Sequence, residues 1–334
     1  MNILFSCVGR RTYLLKYFRE QLQDDDIIVG TDMQLSAPAL SEADYKEKMP
    51  AIYSKNYIDK TIEICKKYKI DLLISLNDLD LPVLSASRSR FNKIGTTLLI
   101  SSDKVIDICF DKNKTARFFE KIGLKTPKTY IDLSEAKKAI ETGELTFPVV
   151  LKPRWGSGSF GIEFPGDIED MEISYKSIKK KIKNSCFSQI SSLSNQEIII
   201  QEYIHGKEYG LDILNNLKGE YQFTSVKEKL SMRAGETDKA ITTDNKELRD
   251  IGSKIGSALG HVANLDCDIL ENNGSFYALE LNPRFGGGFP FSYEAGANFP
   301  AAIIAWFKGK DFPKSSLEPR YNKTYAKCDY LVEI

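Results

Sequence analysis

Two acidic residues and an amide lie close to a turn signal in the stretch LDCDILENNGSFYALELNPRFGGGFP, residues 265–290. Short β-like runs flank Asn272, Asn273, Gly274 and Ser275, which predicts an antiparallel hairpin. Side chains alternate between faces along each arm. Tyr277, Leu279 and Leu281 are therefore expected toward a core and Ala278, Glu280 and Asn282 on the opposite face, while Asp266 and Asp268 share a face of the first arm. A three-residue loop over 273–275 would set Asp268 directly across from Glu280, with Asn282 one pleat further along. Oxygen donors of this kind suit a hard cation such as Mg2+, which takes one or two carboxylates together with the phosphates of a nucleotide. Two carboxylates facing each other at about 5 Å repel unless a cation answers them. Arg284 and the turn Gly286, Gly287, Gly288 follow directly, adding a fixed positive charge and a pliable backbone, as a phosphoryl-transfer site requires. An ordinary surface hairpin with acidic residues on its wet face would show the same alternation.

Further polar clusters could serve that patch. FPVVLKPRWGSGSFGIEF reads as a strand ending in Lys152, a turn rich in Gly156, Ser157, Gly158 and Gly161, and a return strand. Free backbone N–H groups over a lysine make a phosphate cradle. It is not a Walker loop, because the Gly-Lys-Ser/Thr run is absent. Lys112 lies near the N-terminal end of a helix predicted over 112–121, where the dipole disfavours a cation, which points weakly to an anionic partner. In IIIQEYIHGKEYGLDIL a break at His205 and Gly206 would leave the backbone of Glu202, Tyr203 and Ile204 free to read the edge of a flat heterocycle, and Glu208 could accept from sugar hydroxyls. Lys227, Lys229 and Arg233 follow on a segment that could face the same cleft or form a charged outer strand.

Composition narrows the classes. The 334 residues are 42% hydrophobic and 28% charged with zero formal net charge, so no global field attracts nucleic acid or an anionic membrane. Six cysteines stand without a CxxC pair, which argues for reduced thiols rather than zinc or disulfides. Two histidines make His-based acid/base chemistry a poor expectation. Arg10, Arg11 and Lys16 interrupt the first apolar run, and no stretch approaches the roughly 18 apolar residues of a membrane span, so a cytoplasmic protein is expected.

The elements that must position these groups begin with strands over 2–8, 27–32 and 70–76 alternating with helices. That pattern predicts a parallel, doubly wound sheet whose functional edge, carrying residues 77–80, lies at the carboxyl ends of the strands. VGRRTY has one glycine where a dinucleotide fingerprint needs three, so nicotinamide or flavin binding is disfavoured. Arg10 and Arg11 read as surface charges, although a loop at that edge could present one to an anion. A strand over 96–102 closes the first domain, with Asp103 as the expected cap of the next helix. The basic run YKSIKKKIKN reads as a solvated helix and the Ser-rich stretch after it as a mobile loop. A helix over 246–261 precedes the hairpin, and another, carrying Ile303, Ile304 and Trp306, follows it before a last strand.

Together, DK at 111, VVLKPRWGSGSFGI at 149, QEYIHGKEYG at 201 and the series Asp268, Glu280, Asn282, Arg284 resemble the ATP-grasp superfamily, particularly its carbamoyl-phosphate-synthetase-like branch. The resemblance covers nearly the whole chain and implies an α/β protein: a pre-ATP-grasp Rossmann-like parallel sheet domain (1–105), an ATP-grasp lid subdomain with a linker helix (106–200) and a catalytic subdomain (201–334). It implies ATP with one or two Mg2+ ions, Mn2+ being a substitute. Lys112, Lys152, Gly156, Ser157 and Gly158 would hold the phosphates, with Lys152 also catalytic. Glu202, Tyr203 and Ile204 would be the adenine hinge and Glu208 the ribose ligand. Asp268, Glu280 and Asn282 would bind the metal, and Arg284 would face the transferred phosphoryl group and the acyl substrate. Arg233 and Gly287 would contact substrate. Carbamoyl phosphate synthesis in that family uses two tandem halves and an ammonia source, whereas this chain carries one copy. The expected activity is therefore ligation of a small carboxylic acid to an amine through an acyl phosphate, with a sensor or assembly subunit lacking turnover and a carbamoyl-phosphate-forming kinase as alternatives. The expected partners are these small molecules, with neither nucleic acid nor membrane, and a homodimer is admitted.

Overall fold

A computed structural model describes residues 1–156, 158–185, 188 and 196–333. The first sheet is parallel, in the order β3-β2-β1-β4-β5, from β1 (Ile3–Ser6), β2 (Ile28–Asp32), β3 (Tyr45–Lys48), β4 (Leu72–Ser75) and β5 (Thr97–Leu98). Strand β3, YKEK, was not anticipated; it is an exposed edge strand, and its charged side chains give no apolar alternation to detect. β1 and β4 are wholly buried apolar runs, as a parallel strand covered on both faces must be. Helix α1 (Thr12–Arg19) lays Leu14, Leu15 and Phe18 onto them.

Chain order reverses between β1 and β4, which opens a crevice at their carboxyl ends. Asp80 is buried there and accepts from Ser6 Oγ at 2.7 Å, Tyr57 Oη at 3.1 Å and Ser75 Oγ. Burial raises its pKa, and the hydroxyl donors pull it back. This network pins residues 76–80, which carry Leu76 O and Asp78 toward the site described below.

A small antiparallel sheet, β6-β8-β7, is made of β6 (Thr129–Tyr130), β7 (Val149–Pro153) and β8 (Ile198–Glu202). The helix Ile168–Lys183 covers it with Met171, Ile178 and Ile182. The expected return strand after the glycine turn is reduced to a single bridge between Leu151 and Glu163.

The third sheet is antiparallel, in the order β13-β12-β9-β10-β11-β14, from β9 (Lys207–Asn215), β10 (Tyr221–Arg233), β11 (Glu236–Thr242), β12 (Ala263–Asn272), β13 (Ser275–Asn282) and β14 (Thr324–Ala326). The helix Lys246–Leu259 packs on it, capped by Asn245 and ended by Gly260 at φ +65°. The helices Asp103–Phe110 and Lys112–Lys121 pack on this sheet, because Val105, Cys109 and Phe119 bury with Leu211, Cys267 and Leu281. The first of them is capped by Ser102, whose hydroxyl accepts from Val105 N, and not by Asp103. Phe289, Phe299 and Ile303, from the two helices after the hairpin, join Phe5 and Phe18 in the core of the first domain. The chain thus returns to close its own N-terminal unit.

His261 is fully buried with Nε2 3.0 Å from Ile213 O, and burial pushes its pKa down to about 4. Between pH 4 and its ordinary value near 6.5 the unfolded chain binds a proton that the native protein refuses. Its contribution is therefore intact above about pH 6.5 and is lost as pH falls toward 4, with an upper limit of about 3 kcal/mol. Urea midpoints measured at pH 7 and pH 4.5 should fall less for His261→Gln than for the wild type.

Candidate active site

The two antiparallel sheets and the turn after β1 enclose a cleft of about 680 Å³. The hairpin β12–β13 forms its floor. Its turn holds two residues, Asn273 and Gly274, both at positive φ, and not the three expected. That turn alone would pair Asp268 with Leu279. A bulge between Asp268 and Ile269 takes up one residue of β13, and Asp268 lands opposite Glu280 and Asp266 opposite Asn282. Leu281 is in the core as expected, but beyond the bulge the faces change: Ala278 enters the core, while Leu279, expected inward, lines the cleft.

Repulsion between the opposed carboxylates is answered by lysines. Lys229 Nζ lies 2.6 Å from both Asp268 Oδ1 and Glu208 Oε1. Burial works against its charge, but Asp268, Glu208 and Asp266 outweigh burial and raise its pKa. Lys112 Nζ lies 3.7 Å from Glu280 and donates to Gly156 O. Asp111 caps the helix that starts at Lys112 and holds Arg154 through two hydrogen bonds of 2.8 and 2.7 Å, tying that helix end to the glycine turn. Lys152 is buried at the mouth of the same turn and makes no hydrogen bond or ion pair among the described residues. Burial, reinforced by Lys112, lowers its pKa to about 8 against the opposing pull of Glu280 and Asp268. A buried ammonium in this condition calls for an anion.

At the other end Arg284 is gripped by Asp78, with Nε and Nη2 at 3.2 and 2.8 Å from Oδ2, and by Asp266 at 3.0 Å from Nη1. Both carboxylates hold its charge against burial and raise its pKa. Asp266 is pushed up to about 6, by burial first and Asp268 second, with Arg284 opposing. The glycines after Arg284 are required by close approach: a Cβ on Gly286 would lie 2.3 Å from the Asp266 carboxylate, and one on Gly287 2.8 Å from Glu236 Cδ.

Of the residues singled out from sequence, Lys112, Lys152, Gly156, Gly158, Glu202, Tyr203, Ile204, Glu208, Asp268, Glu280, Asn282, Arg284 and Gly287 all line this one cleft. Ser157 lies outside the described residues. Arg233 is not among the lining residues; it is turned to Asp238 at 2.9 Å and to Asp329 on the outer end of the β10–β11 hairpin, where a segment far away in sequence supplies its partner. Lys227 is likewise no cleft residue. It is fully buried with Asp212, which also accepts from Ser292 Oγ. Lys227→Met would leave that carboxylate uncompensated and should destabilise the fold by about 3–5 kcal/mol, read by urea denaturation. Arg11 and Glu236 also line the cleft; Arg11 read chiefly as a surface charge that the turn after β1 could present to an anion, and Glu236 was not anticipated.

Among the described residues no three His, Cys, Asp or Glu side chains gather as a metal site. The donors at the floor are two carboxylates and one amide, a set that fits Mg2+ when phosphates complete the shell.

A parallel crevice domain feeds a cleft between two antiparallel sheets, with lysines at a glycine turn on one side and opposed acids on the other, an arrangement suited to holding a nucleotide's phosphates. The comparisons agree. The PylC-like N-terminal domain family matches residues 3–99 and the ATP-grasp domain family residues 109–288. The arginine-specific large chain of carbamoyl phosphate synthase from Bacillus subtilis is 26% identical over 208 residues, 58% of this chain and 18% of that protein. The D-alanine–D-alanine ligase of Fusobacterium nucleatum is 27% identical over 233 residues, 63% of this chain and 71% of that enzyme. The biotin carboxylase domain of Hydrogenobacter thermophilus 2-oxoglutarate carboxylase, solved with MgADP and bicarbonate, shares the fold at TM-score 0.75 and 16% identity, covering 97% of this chain and 73% of that one. The chain belongs to the ATP-grasp family, in its carbamoyl-phosphate-synthetase-like branch. It spans about a fifth of the length of the synthase large chains it matches. No described helix is long and apolar enough to cross a membrane.

Proposed function

We propose that this protein is a Mg-ATP-dependent ligase that activates a small carboxylic acid as an acyl phosphate and joins it to an amine. The observation that carries this reading is the cross-strand pairing of Asp268 with Glu280 in the same cleft as Lys112 and the unpaired Lys152. Asp268, Glu280 and Asn282 would hold Mg2+, which when bound supplies charge neutralisation across the terminal phosphates. Lys152, Lys112 and the glycine turn grip those phosphates, and Glu202, Tyr203 and Ile204 border the position of the base. Arg284, oriented by Asp78 and Asp266, faces the carboxylate to be activated. Phe164, packed edge-on to Tyr203 at 5.7 Å, adds an apolar wall on the base side. The relatives named as ligases support the reaction class, and the residues above support the roles assigned to this chain.

The test is ADP release from Mg-ATP across a panel of carboxylates, each with and without amines. ADP release that requires both a carboxylate and an amine is expected. A folded protein that binds ATP but releases no carboxylate-dependent ADP would remove the ligase reading and leave a nucleotide sensor.

A further inference from the structure

Beyond Arg284 the cleft continues to the first domain, where its charges are left uneven. Arg11 enters from the turn after β1, donates through Nη1 to Leu76 O and buries an Nε that has no hydrogen-bond partner among the described residues. No described carboxylate lies within ion-pair distance of it, in contrast to Arg284, which has two. Tyr13, two residues on, is buried beside Arg11 and does not line the cleft. Across from them Glu236 opens β11, pressed against Gly287 and paired with Lys327 at 3.1 Å, with half of its side chain exposed. Lys327, Arg11 and Arg284 overcome the effect of burial and keep Glu236 ionised. This chamber therefore presents a guanidinium with no counter-ion among the described residues on one side, and a carboxylate on the other. Its complement carries a carboxylate and an ammonium a few bonds apart. Gly287, which touches Glu236, belongs to the turn that begins after Arg284, so an ammonium on Glu236 lies on the side of the activated acyl group.

We propose that this chamber binds an amino acid as the amine substrate, its carboxylate on Arg11 and its ammonium on Glu236. The assignment of this molecule as the amine substrate rests on the ligase reading; the binding site does not. Arg11 offers a planar fork matched to a carboxylate, so the preference is geometric as well as electrostatic.

The full chain, loaded with Mg2+ and a non-hydrolysable ATP analogue, is titrated calorimetrically with each of the twenty common amino acids. The tightest binder is then compared with its carboxamide, its decarboxylated amine and its deaminated acid. Each analogue should bind at least about tenfold more weakly than the parent, because each leaves a charged group of the site unanswered. Arg11→Gln should bring the amino acid and its carboxamide to equal affinity, Arg11→Lys should keep part of the preference, and Glu236→Gln should equalise the amino acid and its deaminated acid. The wild-type comparison stands by itself if a variant fails to fold. The proposal is overturned if no amino acid binds, if the carboxamide binds as well as its parent, or if the variants keep the wild-type preferences. Amino-acid binding with these preferences but no ADP release in the panel above would support the subsite and remove only the ligase reading.

Discussion

Replacing Glu280 by glutamine should lower carboxylate-dependent ADP release by roughly 10³-fold while the melting temperature stays within a few degrees of the wild type, given what loss of a preorganised electrostatic contact at a phosphoryl-transfer centre costs. Glu280 suits this experiment because its side chain is only partly buried and its one ion pair, to Lys112, is long at 3.7 Å. Glutamine keeps the shape and one oxygen, and loses the charge that faces Lys112 and that a bound Mg2+ would share. Asp268 would confound the measurement, since its loss strips Lys229 of a partner at 2.6 Å in a buried setting. Steady-state turnover beside thermal denaturation decides the matter: normal turnover of Glu280→Gln would remove the metal assignment.

Lys152 carries the second large effect, and it is a pH effect. Its pKa near 8 in the ligand-free protein means that the side chain discharges as pH rises through 8, well below the ordinary lysine value near 10.5. A bound triphosphate favours the charged form, so nucleotide binding should raise that pKa and draw in up to one proton at about pH 9. The value of kcat/KM for ATP should then fall about tenfold per pH unit above pH 8, and Lys152→Met should flatten that limb while lowering kcat/KM about 10²-fold at pH 7. The sign for stability is opposite. Between pH 8 and 10.5 the unfolded chain holds a proton that the native chain has released, so the ligand-free protein gains stability from this group across that window. Calorimetry of ATP binding in buffers of different ionisation enthalpy measures the proton uptake directly. Binding without proton uptake at pH 9 would show that Lys152 does not meet the phosphates.

Much of the candidate site was legible before any coordinates. Side-chain alternation alone placed Asp268, Glu280 and Asn282 together, and a lysine ending an apolar strand before a glycine turn marked Lys152. The route to the right pairing was partly wrong, because a two-residue turn and a β-bulge combine to give the register that a three-residue loop would have given. A bulge adds no residue type of its own, so the sequence contains no sign of it, and Leu279 was consequently assigned to the wrong face. Arg233 was placed near substrate for want of any view of Asp329, which lies 96 residues away.

What the sequence by itself determined about this protein is local and periodic: a parallel crevice domain, a hairpin bearing oxygen donors, a lysine under a glycine turn. These follow from alternation, turn chemistry and the cost of burying an unpaired charge, all of which act over a few residues. Only the tertiary structure decided which charges cancel. Lys229 is shared between Glu208 and Asp268, Arg284 is clasped by Asp78 from another domain, and Arg11 has no counter-ion among the described residues. Ion pairing depends on distances of a few ångströms between segments far apart in sequence, 206 residues for Asp78 and Arg284, and no periodicity along the chain encodes them.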